Sequence, residues 1–306
     1  CLRTWRIRPK KRGRKRLRAY DKLIFLYLNK SISSLRSLAS QKRLGKDRLQ
    51  VMIRRSLEKY VQKKKDSWWS ALSGNSCLIL VADAIWYRIN GIKYTIYILL
   101  IRPVDDHEAI IAPPVIVKGH EGLEGWEEAF GTVPEALKRR INALVCDGGT
   151  GIVALAKKHG LILQRCHFHL ISAVQNYLSA GPRGTRRIYS QKIIGLVKDL
   201  VSTSSTLEVK YLLRKLGHIH DTSKSRGMRR ILRGLLRDWR DYRTYLKYPN
   251  LKLPATSNAA ESCIQGIRDL MYRCRGFRGQ SSLTLWLIAL ALFKKTIRCN
   301  GKNQPN

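Results

Sequence analysis

The chain is poor in acidic residues. Among its 306 residues only 21 are Asp or Glu, against 59 Lys and Arg, which gives a formal net charge of +38. A positive charge of this size destabilises a compact protein by self-repulsion unless a polyanion screens it. An enzyme of ordinary charge that acts on small acidic substrates fits this composition poorly, and the sequence favours nucleic acid as the partner.

Long hydrophobic runs and paired cysteines are also lacking. The longest apolar stretches, Leu23–Leu28, Tyr94–Ile101 and Leu283–Phe293, fall short of the ~20 residues of a membrane-spanning helix. We therefore expect no membrane contact and assign the last stretch to the core. The seven cysteines are odd in number and show no paired spacing, which indicates reduced thiols in an intracellular protein. The chain begins at Cys1 rather than Met, so we expect further sequence upstream.

The positive charge is concentrated at the two ends of the chain. Residues 1–65 and 181–306 carry almost all of the excess, whereas residues 77–180 hold equal numbers of basic and acidic side chains. This distribution suits an enzyme core that is held against a phosphate backbone by basic flanks. The length predicts about two domains.

A basic arm and a helical pair make up residues 1–65. The composition of Arg3–Arg18 supports sequence-independent phosphate contacts. A short helix at 33–40, a break at Gly45 and a helix from Lys46 to about Tyr60 predict a helix-turn-helix, with a generic helical hairpin as the alternative. The expected DNA contacts are Arg12, Arg14, Lys15 and Arg16 in the arm and Lys46, Arg48, Gln50, Arg54 and Arg55 in the second helix.

Strand patterns dominate from Cys77 to Cys166. The dipeptide Asn90-Gly91 between two apolar runs is a strong hairpin signal. Pro113-Pro114 interrupts the third run, which suits an edge strand or a strand start. With helices expected at about 125–140 and 152–159, the order predicts a mixed five-stranded sheet flanked by helices. The expected strands are Cys77–Asp83, Ile92–Ile101, Ile110–Val117, Asn142–Asp147 and Leu161–Cys166.

Three carboxylates stand out in this pattern. Asp83 and Asp147 each end an apolar run, where a carboxylate is costly unless it is paired or binds a cation. Glu261 opens a helix in a basic region, after Thr256-Ser257-Asn258-Ala259-Ala260. The alternatives are ordinary ones: the Asp residues can cap the next element, and Glu261 can belong to a capping box.

With these residues the sequence resembles the mutator-type DDE transposases of bacterial insertion sequences. The resemblance covers about Cys77 to Phe293. It rests on Asp83, on Asp147-Gly148 with the Gly-rich turn that follows, and on two further motifs. These are Gln164-Arg165-Cys166-His167-Phe168-His169 and Thr256-Ser257-Asn258-Ala259-Ala260-Glu261-Ser262.

The resemblance implies a ribonuclease H-like catalytic domain with a catalytic triad of Asp83, Asp147 and Glu261. Cys166 and His169 correspond to the C(2)H motif of these transposases, and we expect them, with Asn258, to support the active site. The implied organisation has a DNA-binding domain at 1–65 and a first core part at 77–178. A basic helical insertion at 179–255 then separates this part from the Glu-bearing helix and the C-terminal helix at 256–306.

Phosphodiester cleavage and joining give these carboxylates a physical role. Two divalent cations can activate the nucleophile and stabilise the leaving oxygen, and carboxylates suit Mg²⁺. We therefore expect two Mg²⁺ ions, with Mn²⁺ as a substitute. Asp83 would bridge them, and Asp147 and Glu261 would each complete one. A structural zinc site at Cys166 and His169 is disfavoured, because no second ligand pair has the usual spacing.

The final basic segment contains an arginine-rich helix. Arginines recur every three or four residues from Arg226 to Arg240, with apolar residues between them, which indicates an amphipathic helix whose charged face binds phosphates or is merely solvated. Other arginines lie on or just after the Glu-bearing helix. The expected DNA contacts are Arg229, Arg230, Arg233, Arg237, Arg268, Arg273 and Arg275.

Together these features predict a DNA transposase. It would bind terminal inverted repeats, cleave at the element ends and join the 3′-hydroxyl to target DNA. It would act as a homodimer or a larger assembly in the cytoplasm of a prokaryote, close to the nucleoid. Two alternatives remain: a catalytically inactive DNA-binding protein, from a decayed or domesticated element, or another ribonuclease H-like nuclease.

Overall fold

The computed structural model describes residues 27–29, 39–40, 45–72, 74, 76–179, 185–274 and 276–299, with the backbone alone for 46, 177–179 and 185–190. The predicted DNA contacts Arg12, Arg14, Lys15, Arg16 and Arg275 lie outside the described residues, as does the side chain of Lys46. Of the predicted first helix of the helix-turn-helix, only Ala39 and Ser40 are described.

The described part of the chain contains the following strands and helices. The strands are β1 (Leu78–Ile89), β2 (Ile92–Pro103), β3 (Glu108–Ile111), β4 (Val115–Lys118), β5 (Ile141–Cys146), β6 (Ile162–Arg165) and β7 (Thr296–Arg298). The helices are α1 (Lys46–Lys64), α2 (Leu123–Gly131), α3 (Glu135–Lys138), α4 (Thr150–Lys158), α5 (His167–Ser179), α6 (Thr185–Ser202), α7 (Thr206–Thr222), α8 (Arg226–Asp238), α9 (Thr244–Lys247), α10 (Asn258–Cys274) and α11 (Gln280–Lys294).

The strands form one open mixed sheet. Its order is β6-β5-β1-β2-β3-β7, and β4 also pairs with β2. β1 and β2 are antiparallel, whereas β5 runs parallel to β1 and β6 parallel to β5. A mixed sheet flanked by helices is therefore confirmed.

The Asn90-Gly91 hairpin is confirmed in detail. Ile89 pairs with Ile92, and Asn90 and Gly91 have φ of 51° and 80°. Two positive φ angles match the tight turn whose twist fits the flanking strands. β1 does not end at Asp83, as the sequence suggested, but continues to the turn because its second half pairs along β2.

The prediction of five strands was wrong, since the described residues alone form a sheet of seven. Pro113 and Pro114 lack backbone N–H groups and divide the predicted third strand into β3 and β4. The short β7 pairs with β3 at the sheet edge and is too short to leave an alternating pattern. The predicted helix at 125–140 is likewise two helices, because the ring of Pro134 precludes a continuous helix at that point.

Helices cover both faces of the sheet, and the packing of one of them shows to which face the Asp83 side chain points. Tyr97 on β2 packs edge-on against Trp126 of α2, and Tyr97 pairs with Ala84 on β1. Because neighbouring residues of a strand point to opposite faces, Asp83 points to the other face. There α10 packs on β1 and β2, and α11, which is largely buried, packs on β3 and β4.

The segment between β6 and α10 is helical and has its own cluster of buried residues. The cluster runs from Leu170 on α5 through α6, α7 and α8 to Tyr242. The buried residues of α1, Leu49, Ile53 and Leu57, belong instead to the core of the sheet, and α1 packs against α11. Within the described part of the chain, no helix combines the length and apolar composition needed to cross a membrane.

Candidate metal centre

Asp83 lies within β1, and Asp147 directly follows the last residue of β5, the neighbouring parallel strand. Val81 on β1 is in register with Val145 on β5, and each Asp lies two residues beyond this pair. Their carboxylates are close enough that Asp147 contributes to raising the pKa of Asp83. The carboxyl end of β5 therefore brings Asp147 close to Asp83.

The carboxylate of Asp83 is buried, and only one of its two oxygens accepts a hydrogen bond from the described residues. The residue is 6% exposed, and its Oδ1 accepts a 2.8 Å hydrogen bond from the backbone N–H of Ala84. Its Oδ2 has no hydrogen-bond partner among the described residues. Burial raises the pKa of Asp83 from 3.8 to about 6, against a lowering contribution from His169. A buried oxygen of this kind, beside other ligand groups, fits a bound cation.

Asp83, His169 and Glu261 form one compact group. A ligand atom from each lies within 4.8 Å of those of the other two. These residues can therefore hold a metal ion. Glu261 reaches the group from the first turn of α10, and its Oε1 accepts a 3.2 Å hydrogen bond from Nη1 of Arg268.

Asp147 lies beside this group and is not one of its three members. Its Oδ1 accepts a 2.9 Å hydrogen bond from the backbone N–H of Gly149. Gly148 has φ +91°, and a Cβ there would lie 2.6 Å from Nη1 of Arg165. The turn therefore needs glycine both for its backbone and for the space that the arginine takes.

A further carboxylate, Glu121, stands near Asp147. Its Oε1 accepts a 2.9 Å hydrogen bond from Nε1 of Trp126, and its pKa is raised by burial and by Asp147. Sequence reasoning missed this residue, because it precedes α2 and follows no strand that ends in an acid.

Cys166 joins three parts of the site. It is fully buried, its backbone N–H donates to the carbonyl of Cys146 at 2.7 Å, and its Sγ accepts a 3.2 Å hydrogen bond from the N–H of Ser257. The next residue, His167, donates its backbone N–H to the carbonyl of Ala255 at 2.9 Å. The end of β5 is thus tied to the residues just before α10, which carries Glu261.

His169 contacts both Cys166 and the carboxylates. Burial raises the pKa of the Cys166 thiol, but hydrogen bonds from His169 and Ser257 outweigh it and leave this pKa below its usual value. The hydrogen bond to Cys166 in turn raises the pKa of His169 to about 9, and Asp83 and Asp147 act in the same direction. Sequence reasoning assigned His169 a supporting role, whereas the structure places it among the potential ligands.

Asn258, predicted as a supporting residue, has a different environment. Its side chain is exposed at the start of α10 and makes no hydrogen bond with the described residues. The neighbouring Ser257 is 1% exposed and supplies the contact to Cys166. The sequence Thr256-Ser257-Asn258 predicted a helix start, but it did not show which of these residues faces the site.

Gln164 and Arg165 connect the same segment to the helical insertion. The buried amide of Gln164 donates to the carbonyl of Tyr242 at 3.2 Å and accepts from the N–H of Tyr245 at 2.8 Å. Arg165 forms ion pairs with Asp238 at 3.1 Å and with Asp241 at 3.4 Å. Residues 164–169 therefore contact the sheet, the insertion and α10 together.

The predicted DNA contacts of α1 are mostly exposed. Arg48 and Arg55 face solvent, Gln50 is half-buried, and Arg54 pairs with Glu58 at 2.9 Å. Because the opposite face of α1 is packed into the core of the sheet, these side chains project from the body that carries the acids.

The predicted contacts of α8 and α10 differ among themselves. On α8, Arg230 and Arg233 are exposed, Arg229 is half-buried, and Arg237 pairs with Asp238 at 2.8 Å. On α10, Arg268 pairs with Glu261, while Arg273 contacts the carbonyl of Tyr27 and lies 4.9 Å from its ring. Arg230 and Arg233 are therefore the exposed members of this set that form no ion pair within the described residues.

Two comparisons with known proteins found no match. No protein-family model matches the chain, and no curated protein matches it. The geometry of the site and the charge of the chain are the basis for a functional assignment.

Proposed function

We propose that this protein is a DNA transposase of the DDE type, with a ribonuclease H-like catalytic domain that cuts and joins phosphodiester bonds with metal ions. The observation that carries the proposal is the meeting of Asp83 and Glu261, which are far apart in the sequence, with His169 in one group. Asp147 stands beside them, directly after the neighbouring parallel strand β5.

The residues of the site have different roles in this proposal. Bound divalent ions would activate an attacking water or 3′-hydroxyl and stabilise the leaving oxygen. In our proposal Asp83, Asp147 and Glu261 would together hold two Mg²⁺ or Mn²⁺ ions. Asp83 is fixed by the backbone of β1, and Cys166 and Ser257 hold the start of α10 against the end of β5.

The substrate in this proposal is DNA. The net charge of +38 and the exposed arginines of α1 and α8 support binding to a phosphate backbone. Terminal inverted repeats and target DNA would be the two substrates. At least a homodimer is proposed, because two element ends must be brought together, and the prokaryotic cytoplasm at the nucleoid is the proposed location.

Strand transfer by the purified chain tests the proposal. The substrates are precleaved duplexes made from inverted repeats in the DNA that flanks the coding sequence, with plasmid as target and Mg²⁺ or Mn²⁺ in the buffer. We expect joined products with the wild type, and none with Asp83→Asn or Glu261→Gln, both of which keep DNA binding. The control is Glu108→Gln, which removes an exposed carboxylate on β3 and leaves activity unchanged.

Two outcomes would contradict the proposal. If Asp83→Asn still joins strands, Asp83 does not hold a catalytic ion. If the wild type binds these duplexes but neither joins nor nicks DNA with either metal, the protein is a DNA-binding protein without the proposed chemistry.

A further inference from the structure

We infer that His169 is a nitrogen ligand of the ion held by Asp83 and Glu261, so that this position takes Mn²⁺ in preference to Mg²⁺. The inference deepens the proposed function at the same site, but it concerns ion binding alone and does not require DNA. It also departs from an all-carboxylate centre, which the DDE resemblance implies.

The geometry of the group supports a mixed ligand set. One ligand atom from each of Asp83, His169 and Glu261 falls within 4.8 Å of the others, a separation that a single ion can span. Asp147, the acid that a purely carboxylate centre would use, is not in this group and has Oδ1 engaged by Gly149.

Two buried atoms of the group lack hydrogen-bond partners among the described residues. They are Oδ2 of Asp83, on a residue that is only 6% exposed, and Nδ1 of His169. Buried polar atoms are nearly always hydrogen-bonded or coordinated, so each unpartnered atom requires an explanation. One ion between the two residues would satisfy both atoms.

The surroundings of His169 hold its ring in place. The residue lies in the first turn of α5, and Cys166, its hydrogen-bond partner, is itself anchored by the N–H of Ser257. Ligand histidines are commonly oriented by a second contact outside the metal. An imidazole has two nitrogens, so His169 can meet the thiol with one and the carboxylates with the other.

A nitrogen ligand changes which metal ion the site prefers. Mg²⁺ favours oxygen ligands in a strict octahedral arrangement and gives up its waters reluctantly. Imidazole is a better ligand for first-row transition metals. A centre with two carboxylates and one imidazole should therefore favour Mn²⁺ over Mg²⁺.

Pulsed electron paramagnetic resonance of Mn²⁺ tests the inference without DNA or turnover. Mn²⁺ is added to the full chain, and ¹⁴N coupling to the bound ion is recorded. We expect coupling in the wild type and in His218→Ala, which removes an exposed histidine of α7 as a control. His169→Asn should lose the coupling and weaken Mn²⁺ binding by roughly tenfold or more, as loss of a ligand costs at least as much as loss of its support.

Binding measurements complete the test. Competition titration should show Mn²⁺ binding more tightly than Mg²⁺ in the wild type and a smaller preference in His169→Asn. A second variant, His169→Asp, replaces nitrogen with oxygen and should bind ions without ¹⁴N coupling, which separates ligand loss from misfolding.

Several results would overturn the inference. Asp83-dependent Mn²⁺ binding without ¹⁴N coupling in the wild type, or coupling that persists in His169→Asn, would mean that His169 is not the nitrogen ligand. Equal affinity for the two metals would mean that His169 does not set the metal preference. In each case the transposase proposal still stands. Conversely, ¹⁴N coupling in a protein that joins no DNA strands would support this inference and contradict the proposed function.

Discussion

At the scale of single residues, Asp83 shows a conflict between stability and function. Its carboxylate is buried with one oxygen unpartnered, which is unfavourable in the absence of a cation. The raised pKa measures this cost, because the ionised form is less stable in the folded chain than in water. Burial of a charge at a cost in stability is expected where a residue is selected for ion binding rather than for stability.

Replacing this carboxylate should stabilise the metal-free protein. Below about pH 3 Asp83 is protonated in both states; as pH rises towards 6 the unfolded chain ionises first, and stability is lost. We expect Asp83→Asn to raise the free energy of unfolding at pH 7.5 by about 1–3 kcal/mol, with no difference below about pH 3. Thermal unfolding in chelator at the two pH values measures this. A destabilised variant at pH 7.5 would contradict the burial argument.

At the scale of elements, residues 164–169 join the sheet to the helical insertion. Arg165, whose side chain is 12% exposed, pairs with Asp238 at the end of α8 and with Asp241 beyond it. The same guanidinium packs on Gly148, next to Asp147. The insertion and the turn that carries the second acid therefore share one contact.

Removal of this arginine should loosen the insertion. We expect Arg165→Met to cost about 3 kcal/mol, because it leaves Asp241 without its ion-pair partner and Asp238 with only the exposed Arg237. Amide exchange should rise in α8 and α9 and stay unchanged in β1 and β2. Arg237→Met is the matched control: it also pairs with Asp238, but because this arginine is 73% exposed its loss should have a much smaller effect on stability. Equal effects of the two variants would refute the proposed role of Arg165.

An element can be predicted from the sequence when the residues that specify it lie close together along the chain. Asn90-Gly91 specifies its own turn, so the hairpin could be predicted. The short β7 depends on β3, a pairing partner distant in the sequence, and the passage of β1 through Asp83 depends on pairing along the whole length of β2. For the site, the acids could be found from their motifs, but the roles of Ser257 and Glu121 follow from packing alone.

At the scale of the whole molecule, charge is the dominant property. With a net charge of +38, DNA binding should weaken steeply with salt. Arg230 and Arg233 are exposed on α8, whereas Met228, Leu232 and Leu235 of the same helix are buried. In the proposed complex both guanidinium groups would contact the phosphate backbone.

Neutralising these two arginines tests whether α8 contacts DNA. Arg230→Gln with Arg233→Gln should reduce the slope of log affinity against log salt concentration by about 2, one for each lost phosphate contact. A control pair, Lys118→Gln with Arg139→Gln, removes the same charge from exposed sites on β4 and after α3 and should change the slope less. Salt titrations of duplex binding give both slopes, and equal slopes would place the DNA elsewhere.

The central claim is that Asp83, His169 and Glu261 form one metal centre. Anomalous diffraction from crystals grown with Mn²⁺ tests it most directly. The account predicts an anomalous peak at bonding distance from both the Asp83 and the Glu261 carboxylates, and no such peak in crystals of Asp83→Asn. A wild-type crystal with ordered side chains at these residues and no peak between them would contradict it.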